Sequence, residues 1–150
     1  MSQSLSRVLV HGVFSTKNRV QNLKPELQLE LFAYLAAILN DEGHTAVKIG
    51  GHLDHVHMLF GLSRTMTIAK TVEKVKVSTS IWMKTKGLDL EGFSWQHGYG
   101  TFSVAESELD SVVSYIHNQE EHHATVSFQD EFRAMMKEHG IPIDERYVWD

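Results

Sequence analysis

The sequence predicts an α+β fold of the split βαβ type: a four-stranded antiparallel sheet, two helices on one face, and further helices at the C-terminal end. Three observations carry this. Short apolar segments bounded by turn residues alternate with longer amphipathic ones in the order strand, helix, strand, strand, helix, strand. The longer segments each show one apolar stripe, which suits helices packed on a single sheet face. The 150 residues are 42% apolar and 22% charged, enough for a packed core, and are expected to form one domain over residues 1–150.

The elements follow in order. Leu5 to Phe14 is rich in Leu and Val on both alternating faces and reads as a central strand. Ser15 to Leu23 is polar and reads as a loop. Pro25 fits the first turn of a helix, whose stripe is Leu27, Leu31, Tyr34, Leu35 and Ile38, ending at Gly43. Thr45 to Ile49 is a short strand, Gly50–Gly51 a tight connection, and His52 to Leu62 a second apolar strand. Thr65 or Thr67 caps a helix running to about Lys84, with Ile68, Val72, Val75, Ile81 and Trp82 on its buried stripe. Gly87 to Gly92 is a loop, and Trp95 to Val104 holds the fourth strand. Ser103 and Glu106 have capping-box spacing before a helix with Leu109, Val112, Val113 and Ile116 inward, fraying near His122. Ser127 caps a last helix, with Phe128, Phe132, Met135 and Met136 inward, stopped by Gly140 and Pro142.

Composition excludes several function classes. There are no cysteines, hence no disulfides, thiolate metal sites or cysteine nucleophiles. No apolar run approaches the ~18 residues of a membrane span. The N-terminus lacks a basic region followed by an apolar stretch, so no signal peptide is expected and the default compartment is cytoplasmic. The net charge of -5 conceals an uneven distribution. Residues 64–86 hold six basic and one acidic side chain, whereas residues 87–150 hold three basic and thirteen acidic ones.

The chemistry-bearing stretch is Asp54–His55–Val56–His57. On a strand, His55 and His57 share a face. Two imidazoles on one rigid surface can bind one divalent metal; the alternative is a pair of half-exposed strand histidines. Asp54 and His52 fall on the opposite face of a regular strand. Tyr115 and Gln119, four apart, share a helix face that can be laid against the histidines. Tyr115 is then a candidate nucleophile, needing a metal or a base because a phenol ionises near pH 10; the alternative is an amphipathic residue beside Ile116. His122, seven residues on, lies on roughly the same face as a candidate proton acceptor or further ligand, and Glu120 is a candidate extra ligand.

Four segments, in order, resemble one family. They are His11–Gly12–Val13–Phe14–Ser15–Thr16–Lys17–Asn18–Arg19, Asp54–His55–Val56–His57, Trp95–Gln96–His97–Gly98–Tyr99 and Tyr115–Ile116–His117–Asn118–Gln119. Together they resemble the small single-tyrosine transposases of the insertion-sequence-200-like group, marked by a histidine–hydrophobic–histidine motif, including relatives associated with repetitive extragenic palindromes. The resemblance implies a ferredoxin-like split βαβ fold and a divalent metal, Mg²⁺ or Mn²⁺, held by His55 and His57 with Gln119 as third ligand. It implies Tyr115 attacking a phosphate of single-stranded DNA, often beside a hairpin, to leave a 5′-phosphotyrosine and a free 3′-OH. The phosphotyrosine keeps a phosphodiester, so rejoining needs no ATP and no nucleotide cofactor is expected. It also implies a homodimer, in which the tyrosine helix of one subunit can serve the histidines of the other.

For the DNA itself, Lys17, Arg19, Arg64, Lys70 and Lys74 are candidate phosphate contacts, with a solvated helix face as the alternative for the lysines. Two other functions are compatible with the sequence: a non-mobile relative that processes a cellular DNA repeat, and a ferredoxin-like nucleic-acid-binding protein without catalysis.

Overall fold

The computed structural model describes residues 2–150. Its element order is β1 (Leu9–Ser15), α1 (Pro25–Asp41), β2 (Thr45–Gly51), β3 (His55–Gly61), α2 (Ile68–Lys84), β4 (Gly100–Val104), α3 (Leu109–His117), α4 (Gln119–His122) and α5 (Phe128–Glu138), with short 3-10 turns between some of them. The four strands form one antiparallel sheet in the order β2-β3-β1-β4. This is the ferredoxin-like arrangement that the sequence predicts.

Alternation divides each strand between two layers. Val10 and Phe14 on β1, and Val56, Met58 and Phe60 on β3, meet Leu31, Leu35 and Leu39 of α1 and Val72, Val75 and Met83 of α2 in the main core. The second face is covered by the late helices. There Val13 and Phe102 pack against Phe128, Phe132, Met135 and Met136 of α5. No helix among the described residues is long and apolar enough to cross a membrane.

Several boundaries differ from the sequence expectation, each for a physical reason. β1 starts at Leu9 rather than Leu5, because its partners end there: Leu9 faces Gly61 and Val104. Leu5 is accordingly exposed. The fourth strand starts at Gly100 rather than Trp95. Trp95 still bridges Thr16 antiparallel and Gln96 N donates to Ser15 O at 2.9 Å, but residues 97–99 interrupt the ladder, where Lys76 Nζ gathers the carbonyls of Gln96, His97 and Gly98 at 2.7, 3.0 and 2.7 Å. Thr67, not Thr65, caps α2 by accepting from Lys70 N. Ile81 is exposed; Thr79 takes an inward position instead, accepting from Trp95 Nε1 at 2.9 Å. Ser103 does not cap the tyrosine helix; the Glu108 carboxylate accepts from Ala105 N at 3.1 Å, two residues later.

Gly50 and Gly51 are the last residues of β2, not a connection. Gly50 lets α3 lie close on the sheet: a Cβ there would stand 2.6 Å from the Ile116 carbonyl oxygen and 2.7 Å from Ile116 Cγ2. Gly50→Ala is therefore expected to cost about 1–3 kcal/mol through overpacking and to shift the helix that carries Tyr115. Urea denaturation reads the first effect. An unchanged midpoint would show that α3 does not sit this close to β2.

Candidate active site

The sheet face turned toward α3–α5 carries imidazoles where the opposite face carries apolar side chains. His55 and His57 point there together from β3, and both are fully buried. β3 begins only at His55, so Asp54 lies in the turn after β2 and escapes the strand alternation. This corrects the expectation that Asp54 points away from the pair: its Oδ1 lies 2.8 Å from His55 Nδ1. His52, placed with Asp54 on the far face, stacks on His123 at 5.7 Å.

The tyrosine helix crosses the same face. The helix breaks at Asn118, yet Asn118 N still donates to Ser114 O and His122 N to Asn118 O, so the helical spacing continues through the break. Tyr115 and Gln119 consequently share a face, as the spacing predicts, and the crossing turns that face to the histidines. Gln119 Oε1 lies 2.8 Å from His55 Nε2 and 2.9 Å from His123 Nε2. The Tyr115 ring stands edge-on to His57 at 5.7 Å, within the same chain.

Glu131 of α5 joins these groups. Its Oε1 lies 3.1 Å from His57 Nε2, 3.4 Å from His55 Nε2 and 3.2 Å from His123 Nε2. Its Oε2 accepts from the Tyr115 hydroxyl and, at 3.0 Å, from Gln119 Nε2. One ligand atom from each of His55, His57, His123 and Glu131 falls within 4.8 Å of all the others. Three nitrogens and one carboxylate oxygen converging this tightly fit a divalent cation. A cavity of about 550 Å³ adjoins the cluster, with Tyr115, His11 and Glu131 in its wall.

A sequence family described as IS200-like transposases matches residues 4–119. The chain belongs to the IS200-like transposase family. Among solved structures, a protein of Deinococcus radiodurans R1 provisionally assigned as a transposase is 25% identical, with a TM-score of 0.62 over 79% of this chain and 98% of its own. A REP-associated tyrosine transposase bound to a REP hairpin has the same fold at 16% identity, with a TM-score of 0.58 over 84% of this chain and 76% of its own. No curated protein matches the sequence.

The IS200-like match ends at Gln119, so His123 and Glu131 lie beyond it. No motif or spacing in the sequence marks either as a ligand. The missed signal for Glu131 is its position: it sits between Phe128, Phe132 and Met135 on the apolar stripe of an amphipathic helix, where a carboxylate needs partners. His123 lies one residue past His122. Its ring donates to the Val126 carbonyl at 2.6 Å, which aims Nε2 inward. His122 reaches only the margin, 3.5 Å from Glu131 Oε2. Glu120 is exposed and does not join the cluster.

The basic candidates are scattered. Lys17 and Arg19 follow β1 in a 3-10 turn tied to the histidine end of the sheet by Thr16 N donating to Asp54 O at 2.8 Å. Lys17 is exposed, but Arg19 donates to the Trp149 carbonyl at 2.6 Å. Arg64 is exposed on the connection between β3 and α2. Lys70 and Lys74 lie on α2, which covers the other sheet face, and pair with Glu73 and Glu42 at 3.2 and 3.7 Å. The structure does not bring these two lysines to the histidines.

Charge in the site follows from burial and contacts. Burial pushes the Tyr115 phenol above its ordinary range, and the adjacent Glu131 charge adds to this. Burial opposes the Glu131 charge, but hydrogen bonds from His123 and His57 outweigh it and hold the carboxyl far below the usual range. Burial lowers His57, and lowers His11 to about 3. His44, enclosed between Ser63 N and Thr71 Oγ1, is lowered by burial as well. His123 moves upward, because its bond to Glu131 outweighs burial.

These shifts set a pH dependence. Below the ordinary histidine value of 6.5, the unfolded chain takes up protons that the buried His11, His44 and His57 refuse. Stability therefore falls with acidity, by up to about 1.4 kcal/mol per pH unit for each such ring, with His123 opposing. Urea denaturation of the metal-free protein is expected to show lower stability at pH 5 than at pH 7. Equal or higher stability at pH 5 would contradict the neutral, buried assignment of these rings.

Proposed function

We propose that the chain is a metal-dependent, single-stranded DNA endonuclease and strand transferase acting through a 5′-phosphotyrosine. The observation that carries this reading is the Tyr115–Glu131 hydrogen bond inside the histidine cluster. The two Glu131 oxygens divide the work. Oε1 faces His55, His57 and His123 as one ligand atom among four. Oε2 accepts the hydrogen bond of the Tyr115 hydroxyl and orients it for attack; as the Tyr115 oxygen bonds to phosphorus, its proton passes to solvent. The bond from phosphorus to the 3′ oxygen breaks, that oxygen takes a proton from solvent, and the phosphodiester is conserved in the tyrosyl ester. Rejoining is the reverse reaction with another 3′-OH.

A divalent ion at the cluster supplies charge neutralisation of the non-bridging phosphate oxygens. His55, His57, His123 and Glu131 would hold it, with Gln119 at hydrogen-bond distance from His55, His123 and Glu131. Of the two ions that the resemblance implies, we propose Mn²⁺, since a set of three imidazoles and one carboxylate suits it better than Mg²⁺, which prefers oxygen ligands. The substrate is single-stranded DNA with a hairpin, and Lys17 is the basic side chain best placed to meet it at the histidine end of the sheet. The acting species is a homodimer in the cytoplasm, with one complete site in each chain.

The test is adduct formation. The protein is mixed with end-labelled, hairpin-bearing single strands from the flanks of its own gene, with Mn²⁺, and resolved on a denaturing gel. A metal-dependent covalent band is expected. Its absence across such strands, with Mn²⁺ demonstrably bound, would overturn the phosphotyrosine reading in favour of a binding protein.

A further inference from the structure

His11 has no part in the chemistry above, although it is buried against it. β1 pairs with β3 so that Val13 faces His57 and His11 faces Leu59. His11 is thus the diagonal neighbour of His57 on the same sheet face. The two rings stack at 5.0 Å with an interplanar angle of 30°. His11 Nε2 lies 2.8 Å from His57 Nδ1.

A contact between two ring nitrogens at this distance contains one proton, and its position is coupled to the far side of each ring. His57 Nε2 faces the ligand cluster. To offer a lone pair there, neutral His57 must carry its proton on Nδ1 and donate it to His11 Nε2. His11 must then carry its own proton on Nδ1, an atom with no partner among the described residues, in a ring that lines the cavity beside Tyr115. His55 is held from behind in the same way, by the Asp54 carboxylate on its Nδ1. Each motif histidine therefore has one outer partner, a carboxylate for one and an imidazole for the other.

We infer that His11 is a positioning residue of the metal centre: it accepts the Nδ1 proton of His57, holds that ring in its ligating tautomer, and in doing so turns its own Nδ1–H toward the Tyr115 cavity. The inference rests on the metal-dependent reading of the site, but it concerns binding and tautomer rather than cleavage.

The test is Mn²⁺ titration followed by electron paramagnetic resonance, without DNA, on the full chain, His11→Leu and His11→Gln. Leucine removes the acceptor; the glutamine amide oxygen can reach the same position. His11→Leu is expected to weaken Mn²⁺ binding by about 10–100-fold, the usual effect of losing an outer partner of a ligand, and His11→Gln to restore most of it. Undiminished affinity in His11→Leu, or a glutamine variant no better than leucine, overturns the inference. Should His11→Leu fail to fold, ¹⁵N spectra of the unaltered protein decide. With Zn²⁺ as a diamagnetic stand-in, His11 Nδ1 is expected protonated and Nε2 not, and the reverse pattern overturns it. An unaltered protein that binds neither ion sinks the metal centre as well, whereas normal binding without any covalent DNA adduct sinks only the phosphotyrosine reading.

Discussion

Tyr115→Phe is expected to abolish the covalent DNA adduct, lowering cleavage by about 10⁴-fold or more, the scale on which loss of a nucleophile acts. The fold and the binding of DNA should survive. Only one hydroxyl is lost, and Glu131 keeps its contacts with Gln119, His57 and His123. The stability cost of that charge-assisted bond is about 1.5–3 kcal/mol. Residual adduct in the variant would assign the nucleophile elsewhere. Because Tyr115 faces the histidines of its own chain, mixing Tyr115→Phe with His57→Ala is expected to leave cleavage unrestored. Restoration would show instead that the tyrosine helix serves the partner subunit.

Glu131→Ala has the second large effect, and it separates this chain from one whose site ends at Gln119. Removing the carboxylate strips His55, His57, His123, Tyr115 and Gln119 of a shared partner in a fully buried setting. The metal-free protein is expected to lose about 3–5 kcal/mol, the cost of breaking a buried charged network on one side. Mn²⁺ affinity should fall by more than the ~10–100-fold that follows loss of an outer partner. Glu131→Gln keeps the shape, loses the charge, and should fall between the two in both measurements. Calorimetric unfolding and Mn²⁺ titration check each part. Unchanged affinity, or cleavage that rises in Glu131→Ala, would mean that the carboxylate blocks the site rather than building it.

Much of the site was legible because its spacing is local. His55 and His57 are two apart on a strand, and Tyr115 and Gln119 four apart on a helix; each pair shares a face wherever the element lies in space. That the two pairs meet, with Gln119 Oε1 2.8 Å from His55 Nε2, is set by how the helix crosses the sheet. What escaped is what depends on which elements meet. Asp54 joins the site because the strand starts one residue after it. His11 joins through a strand register that brings it diagonally opposite His57. Glu131 arrives from a helix that the periodicity places but does not orient. Lys70 and Lys74 share a helix face, as expected, but on the wrong side of the sheet for the histidines.

The sequence by itself determined the order of elements, their inward faces, the histidine pair and the tyrosine helix, because periodicity and turn chemistry act within a few residues. Only the tertiary structure decided that α5 closes over the second sheet face, with Gly100 allowing Phe132 to seat there. That packing sets Glu131 and, next to it, His123 against the motif histidines. No local pattern specifies it, since the stripe of Phe128, Phe132, Met135 and Met136 would be buried equally well on any apolar surface. The sheet was chosen by shape and by a carboxylate that needs the imidazoles as much as they need it.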